Sequence, residues 1–352
     1  MHMTMRWFGP ADPVPLWKLR QVPNLTGIVS ALHDVAPGDP WTREDVARLR
    51  QTVETTGLTL SVIESIPVHE DIKLGTPRRD ERVAAWIASL EAVAAEGVPV
   101  VCYNFMPVFD WTRTDLAHVR ADGSTALIYR HADVAGEQGD GPGNGPVALP
   151  GWAEAYTPQA LAALRAAYAD LSADGLRANL AYFLRAVVPV AARLGVRLAI
   201  HPDDPPWPVL GLPRVVSTAD DLDFVLRAAP DAHNGLTFCT GSLGARAGHD
   251  LPALARRFAP HIHFVHARNV LRRGDHDFDE VAHISDQGNI ELARTVMTLA
   301  RACPGVPIRP DHGRMIWGET GRPGYGLHDR ALGATYIQGL IDAATLEKEP
   351  YV

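Results

Sequence analysis

The sequence predicts a single (β/α)8 barrel. Eight short apolar runs rich in Val, Ile and Leu alternate with longer segments of helical period, and glycines such as Gly57, Gly97 and Gly195 stop helical segments just before the next run. Alternation of this kind builds a parallel sheet, and eight strands favour closure into a barrel over a doubly wound open sheet. The 352 residues, 46% of them hydrophobic, suffice for a large core, so 1–352 reads as one domain.

In chain order the expected strands are Arg6–Phe8, Gly27–Leu32, Thr59–Ile63, Val98–Asn104, Arg197–His201, Leu236–Cys239, His263–His266 and Pro307–Arg309. Between them, Thr42 suits a helix N-cap ahead of Val46, Leu49 and Val53 at helical spacing. Val83, Trp86, Ile87, Leu90 and Val93 form one apolar stripe that ends at Gly97. Similar patterns cover Leu180–Leu194 and Asp220–Ala229, the latter capped by Ser217 or Thr218. The stretch 106–152, after the fourth strand, breaks the alternation with a Gly/Pro-rich tract from Gly136 to Pro146 and reads as a long loop excursion. A loop that follows a barrel strand leaves from the catalytic face, so this one is a candidate lid.

Net charge and cysteine usage narrow the class of partner. The formal charge of −8 argues against nucleic acid or an anionic membrane surface, so an anionic ligand must be held by local cations. Three cysteines, Cys102, Cys239 and Cys303, form no CxxC motif and favour a reducing compartment, which places the chain in the cytoplasm. No signal pattern and no run of about 18 apolar residues indicate export or insertion. Neither GxGxxG nor GxxxxGK[ST] occurs, so no nicotinamide or flavin is expected.

The chemistry lies at the strand ends, because the carboxyl ends of barrel strands build the active site. Glu64 and Asn104 end early strands; His201, Cys239, His266 and Asp311 end four later ones. A lone His or Cys at a strand end is more often structural, but four such side chains at successive strand ends reverse that preference and point to a metal site. Two imidazoles, a thiolate and a carboxylate complete most of a divalent-metal shell and leave positions for substrate. Thiolate and imidazole suit Zn(II) or Fe(II), while the carboxylate and open positions also admit Mn(II). In His261-Ile262-His263-Phe264-Val265-His266, strand parity separates His266 from His263; His266, nearest the carboxyl end and leading into Arg268-Asn269, is the ligand candidate, and His263 reads as a structural residue or one that supports the ligands. His312, beside Asp311, is placed to move a proton.

These residues fall in longer motifs: Glu64-Ser65-Ile66-Pro67-Val68-His69-Glu70-Asp71-Ile72-Lys73, Cys102-Tyr103-Asn104-Phe105-Met106-Pro107, Asp110-Trp111-Thr112-Arg113-Thr114, His201-Pro202-Asp203-Asp204-Pro205-Pro206, Cys239-Thr240-Gly241-Ser242 and Arg309-Pro310-Asp311-His312-Gly313. Together they resemble the mannonate dehydratase family from Trp7 to about Gly339. The resemblance implies a xylose-isomerase-like TIM barrel that binds Mn(II) or Fe(II) through His201, Cys239, His266 and Asp311. It further implies a lyase that converts D-mannonate to 2-keto-3-deoxy-D-gluconate and water, and a homo-oligomeric assembly. It adds Tyr325 to His312 for proton transfer, and it makes His33, Glu64, Asn104, Trp111, Arg113 and Arg268 substrate contacts, with Arg113 or Arg268 on the carboxylate.

Dehydration agrees with the residue types. Removing the proton beside a carboxylate and expelling hydroxide need a base, an acid and a cation, and no redox cofactor. Asp203 and Asp204 read as groups supporting the ligands, or as a turn that caps local backbone. The chain departs from the family pattern where members commonly show Phe-His-Glu and Gly-Asp-Val-Asp: here Asp279 precedes Glu280, the later run is Gly288-Asn289-Ile290-Glu291, and Arg314 stands where many relatives carry His. These departures spare the ligands and open the choice of a related aldonate. A metal-dependent sugar isomerase or epimerase and a noncatalytic sugar-acid binder are the rival readings.

Overall fold

The computed structural model describes residues 1–135 and 158–346. The Gly136–Pro146 tract, and with it the last part of the expected lid, lies outside the described residues. Twelve strands are described: β1 (His2–Arg6), β2 (Leu25–Ser30), β3 (Thr59–Glu64), β4 (Val100–Tyr103), β5 (Asp115–Val119), β6 (Thr125–Tyr129), β7 (Arg197–Ile200), β8 (Asn234–Cys239), β9 (Ile262–Ala267), β10 (Asn269–Arg272), β11 (Phe278–Val281) and β12 (Pro307–Pro310). Eight of them close a barrel in the order β1-β12-β9-β8-β7-β4-β3-β2, with every pairing parallel. This is the expected barrel. The first strand, expected at Arg6–Phe8, runs instead from His2 to Arg6, and His2 pairs with Pro307.

The helices start and stop as their caps dictate. Thr42 accepts from the Asp45 amide at the start of Arg43–Glu54. Arg79–Ala95 buries Val83, Trp86, Leu90 and Val93. The helix expected at Leu180–Leu194 begins earlier, at Ala173, where Ser172 caps it, and Gly195 at φ 71° closes it in the left-handed conformation. Thr218, rather than Ser217, caps Ala219–Ala228 through a reciprocal bond with Asp221.

Strand parity divides the core in two. Val29, Val62, Val100, Cys102, Ala199 and Phe264 form one cluster, whereas their neighbours Ile28, Ile63, Val101, Leu198, Ile200 and Val265 pack in the large outer cluster with the helices. Successive side chains point to opposite faces of a sheet, so the first set fills the barrel interior and the second faces outward. Advancing two residues along the inward parity reaches Glu64 from Val62, Asn104 from Cys102, His201 from Ala199 and His266 from Phe264. On β8 and β12 the outward Phe238 and Ile308 leave Cys239 and Arg309 inward, with Asp311 two residues on. On β1 the outward Met3 and Met5 leave Arg6 inward. His263 has the outward parity, and its Nδ1 donates to the Leu198 carbonyl at 2.7 Å, as a structural histidine should.

A second sheet, antiparallel in the order β10-β11-β6-β5, unites two excursions from the barrel. The reading of 106–152 as loop is therefore corrected over Asp115–Val119 and Thr125–Tyr129. The local signal was Asp122-Gly123, a hairpin dipeptide, and Gly123 takes the φ of 80° that such a turn requires. What the local pattern could not reveal was the partner, because β6 pairs with β11 from beyond β9. Tyr129 stacks on Phe278 at that junction, with ring centroids 5.7 Å apart. Both excursions leave barrel strands at their carboxyl ends, so the sheet sits at the mouth that carries the chemistry.

Candidate active site

His201, Cys239, His266 and Asp311 come from four neighbouring barrel strands and meet at the mouth. One donor atom from each of His201, Cys239 and His266 lies within 4.8 Å of the others. Asp311 Oδ2 stands 3.8 Å from the Cys239 sulfur and 3.9 Å from His266 Nδ1. His201 Nδ1 faces the Pro202 carbonyl at 2.7 Å, which can only accept, so Nδ1 carries the proton and Nε2 presents its lone pair. That lone pair points at His266 Nδ1, 3.1 Å away. Arg309, a donor, also faces His266 Nδ1 at 3.4 Å. Two lone pairs in apposition, with a thiolate and a carboxylate beside them, suit a divalent cation.

The local field agrees. Burial works against ionisation of Cys239, yet Arg268 and His201 hold the thiol well below its ordinary range. The Ser242 amide and hydroxyl donate to its sulfur at 3.4 and 3.2 Å. Burial opposes protonation of His201, but Cys239 outweighs it and pushes the imidazole up to about 9, a measure of the negative charge that a cation would neutralise. A second group, Glu64, Cys102 and His266, also gathers within 4.8 Å. It is the poorer metal site, because burial drives the Cys102 thiol well up and Arg309 and Arg6 already pair with Glu64.

Beside the donors lies a proton pair. His312 Nε2 is 2.9 Å from the Tyr325 hydroxyl, and Nδ1 is 2.9 Å from Glu280 Oε1. The Glu280 carboxylate accepts only and lies closer than Arg268 (3.2 Å), which assigns the proton to Nδ1. Nε2 is then the acceptor for the Tyr325 O–H. Burial, followed by Asp311, pushes the Tyr325 phenol up to about 12. Burial opposes ionisation of Glu280, but His312, Arg113 and Arg268 bring it down to about 2.

Behind this pair is a buried ionic lattice. Arg113 grips Asp204 with both terminal nitrogens, at 2.9 and 3.0 Å, and Glu280 through Nε at 2.8 Å. Arg268 reaches Asp204 at 2.6 Å, Asp311 at 3.1 Å and Glu280. Both arginines are fully buried, and neither lines the cavity. The structure thus does not bring Arg113 or Arg268 to a substrate carboxylate, since acidic residues remote in sequence occupy their donors. Asp204 supports the site through these arginines, whereas Asp203 accepts from the Val216 amide and the Ser217 hydroxyl and orders local backbone.

The cavity itself measures about 340 Å³. His33, Glu64, Asn104, Trp111, His201, His266, Asp311, His312 and Tyr325 line it. Cys239 does not, and reaches the donor cluster from beneath the wall. Sequence reasoning did not assign Arg6, Asp110, Arg309 and Arg322, which also line it, or Glu280, which does not. Arg309 and Glu280 stood in quoted segments, and the inward parity of Arg6 and Arg309 was the available signal. The departures from the family pattern lie elsewhere: Asp279 pairs with Arg130 and Arg273, and Arg314 with Asp329 and Asp122.

Fold and site together define a (β/α)8 barrel that pairs a cation-ready donor cluster with acid–base groups at its mouth. The chain matches the family model for D-mannonate dehydratase (UxuA) over residues 1–350. It is 48% identical over 347 residues to mannonate dehydratase 2 of Halalkalibacterium halodurans, covering 98% of this chain and 100% of the relative. The crystal structure of mannonate dehydratase from Streptococcus suis serotype 2 matches with a TM-score of 0.91 at 42% identity, over 99% of this chain and 96% of that one. A xylose isomerase domain protein from Alicyclobacillus acidocaldarius shares the fold, with a TM-score of 0.57 at 15% identity, over 97% of this chain and 99% of that one. The chain belongs to the D-mannonate dehydratase family and is an enzyme of the hydro-lyase class.

Proposed function

We propose that the chain dehydrates D-mannonate to 2-keto-3-deoxy-D-gluconate and water, with Mn(II) or Fe(II) held by His201, Cys239, His266 and Asp311. The observation that carries this reading is the meeting of three donor atoms within 4.8 Å beside the Tyr325–His312 pair. When bound there, a divalent ion supplies Lewis-acid polarisation of the substrate carboxylate and 2-hydroxyl, and so offsets the charge that develops as C2 loses its proton. Tyr325 and His312 act as one proton-handling pair at C2. Glu280 keeps the ring in the tautomer that accepts from Tyr325, and its anion stabilises the imidazolium that forms. His33, Glu64, Asn104 and Trp111 contact the sugar acid along the cavity wall.

Three free, buried cysteines support a reducing, cytoplasmic setting, in which the reaction serves hexuronate catabolism. No helix among the described residues is long and apolar enough to cross a membrane. We treat 1–352 as one catalytic domain and the assembly as a homo-oligomer, which light scattering tests. The deciding experiment supplies metal-stripped protein with Mn(II), Fe(II) or Zn(II) and offers D-mannonate and its C2 and C3 epimers. Metal-dependent loss of one water from D-mannonate, read by mass, is the expected result. Water loss only from an epimer points to a related aldonate. Isomerised sugar without water loss supports an isomerase or epimerase, and saturable binding without product supports a noncatalytic binder.

A further inference from the structure

Elimination needs two proton movements, off C2 and onto the departing C3 hydroxyl. Tyr325 and His312 are hydrogen-bonded to each other and form a single station. Three of the four cavity-lining carboxyls are clamped as anions: Glu64 by Arg309 and Arg6, Asp204 by Arg113 and Arg268, and Asp311 by Arg309 and Arg268. The fourth is different. Among the described residues no cation lies within ion-pairing distance of the Asp110 carboxyl, and Arg214 reaches only its main-chain oxygen, at 3.4 Å. Its side-chain partner is an amide: Asn104 Nδ2 donates to Oδ1 at 2.7 Å, an orientation fixed because Asn104 Oδ1 accepts from the Met106 amide at 3.1 Å. Oδ1 being an acceptor, Oδ2 is the oxygen that can carry a proton.

We propose that Asp110 is the general acid that protonates the C3 hydroxyl as it leaves. The assignment rests on the dehydratase reading above. Burial, against Lys73, Asn104, Arg214 and His201, raises the Asp110 carboxyl above the ordinary carboxylate range, which favours the form that donates. The next residue, Trp111, packs edge-on against His312 with centroids 5.2 Å apart, so the Asp110–Trp111 segment reaches the base pair within one residue. The C2–H bond breaks as the Tyr325–His312 pair takes the proton, and its electron pair forms the C2–C3 double bond. The C3–O bond breaks with its electrons on oxygen, the Asp110 proton joins that oxygen, and water leaves. Ketonisation moves a proton from the enol oxygen and places one on C3, while the base pair and Asp110 regain their starting states through solvent.

The test compares Asp110→Asn and Asp110→Glu with the unsubstituted enzyme, loaded with the competent metal, on D-mannonate and on 3-deoxy-3-fluoro-D-mannonate. Fluoride is a weaker base than hydroxide and depends less on an acid. Asp110→Asn should lose roughly 100-fold or more in kcat on D-mannonate, with KM and metal content little changed, and should eliminate fluoride at close to the unsubstituted rate. Asp110→Glu, which keeps an acid, should recover much of the loss. Unchanged kcat, equal losses on both substrates, or a change confined to KM would overturn the assignment alone. Absence of water loss in the unsubstituted enzyme would overturn the dehydratase reading and this role with it.

Discussion

Tyr325 and His312 share a hydrogen bond of 2.9 Å, and the far nitrogen of the same imidazole stands 2.9 Å from Glu280. The three groups form one line from a buried anion to a cavity-lining phenol. A proton lost by Tyr325 has His312 as its receiver, and the resulting imidazolium lies against Glu280.

On the proposed reading, in which the pair works as a unit, Tyr325→Phe and His312→Asn should each lower kcat by roughly 10²–10⁴ with metal content retained. The double variant should lose little beyond the more damaging single change. Steady-state kinetics on all three variants checks this, and multiplicative losses would show two independent roles.

Glu280→Gln removes one of the anions that balance Arg113 and Arg268, both fully buried. Leaving a buried charge short of its partner costs about 3–5 kcal/mol. Denaturant unfolding should report a loss of that order, and the amide should also slow turnover by admitting the wrong His312 tautomer. A variant as stable as the parent would remove the lattice from the account.

On the proposed metal site, Cys239→Ser and Asp311→Asn should leave the purified protein without its ion, and chelation of the unsubstituted enzyme should lower its melting temperature, as removal of a ligand of the folded state does. Elemental analysis decides the point. Full metal occupancy in both variants would exclude the proposed ligands.

His263 gives a pH prediction. Burial lowers its imidazole to about 4, although the Leu198 carbonyl works to raise it. In the unfolded chain the ring titrates near 6.5, so between about 6.5 and 4 the unfolded state binds the extra proton. Stability should therefore fall as pH drops through that window, by up to about 3 kcal/mol from this group alone. His263→Gln, compared with the parent by unfolding at pH 7 and pH 4.5, should show a flatter profile.

The closed eight-strand barrel, four helices and the meeting of His201, Cys239, His266 and Asp311 at its mouth were legible because their signals are local. Apolar runs bounded by glycine mark strands, Thr42 and Thr218 mark caps, and a His, Cys or Asp at the end of a strand has one place to go once the barrel closes. Parity even separated His266 from His263. The second sheet was not legible, since β6 finds its partner in β11, far along the chain, and only the Asp122-Gly123 turn marked it nearby.

The sequence by itself therefore determined the barrel and the convergence of His201, Cys239, His266 and Asp311, because side-chain periodicity and strand direction are properties of neighbouring residues. Only the tertiary structure decided which charges are free. The family resemblance makes Arg113 and Arg268 substrate contacts, but Asp204 and Glu280 neutralise them inside the protein; Asp110 looks like any loop carboxylate, but among the described residues no cation pairs with its carboxyl. The physical reason is that a buried ion pair joins residues from distant segments, and the low-dielectric interior that makes pairing necessary exists only after the chain has folded.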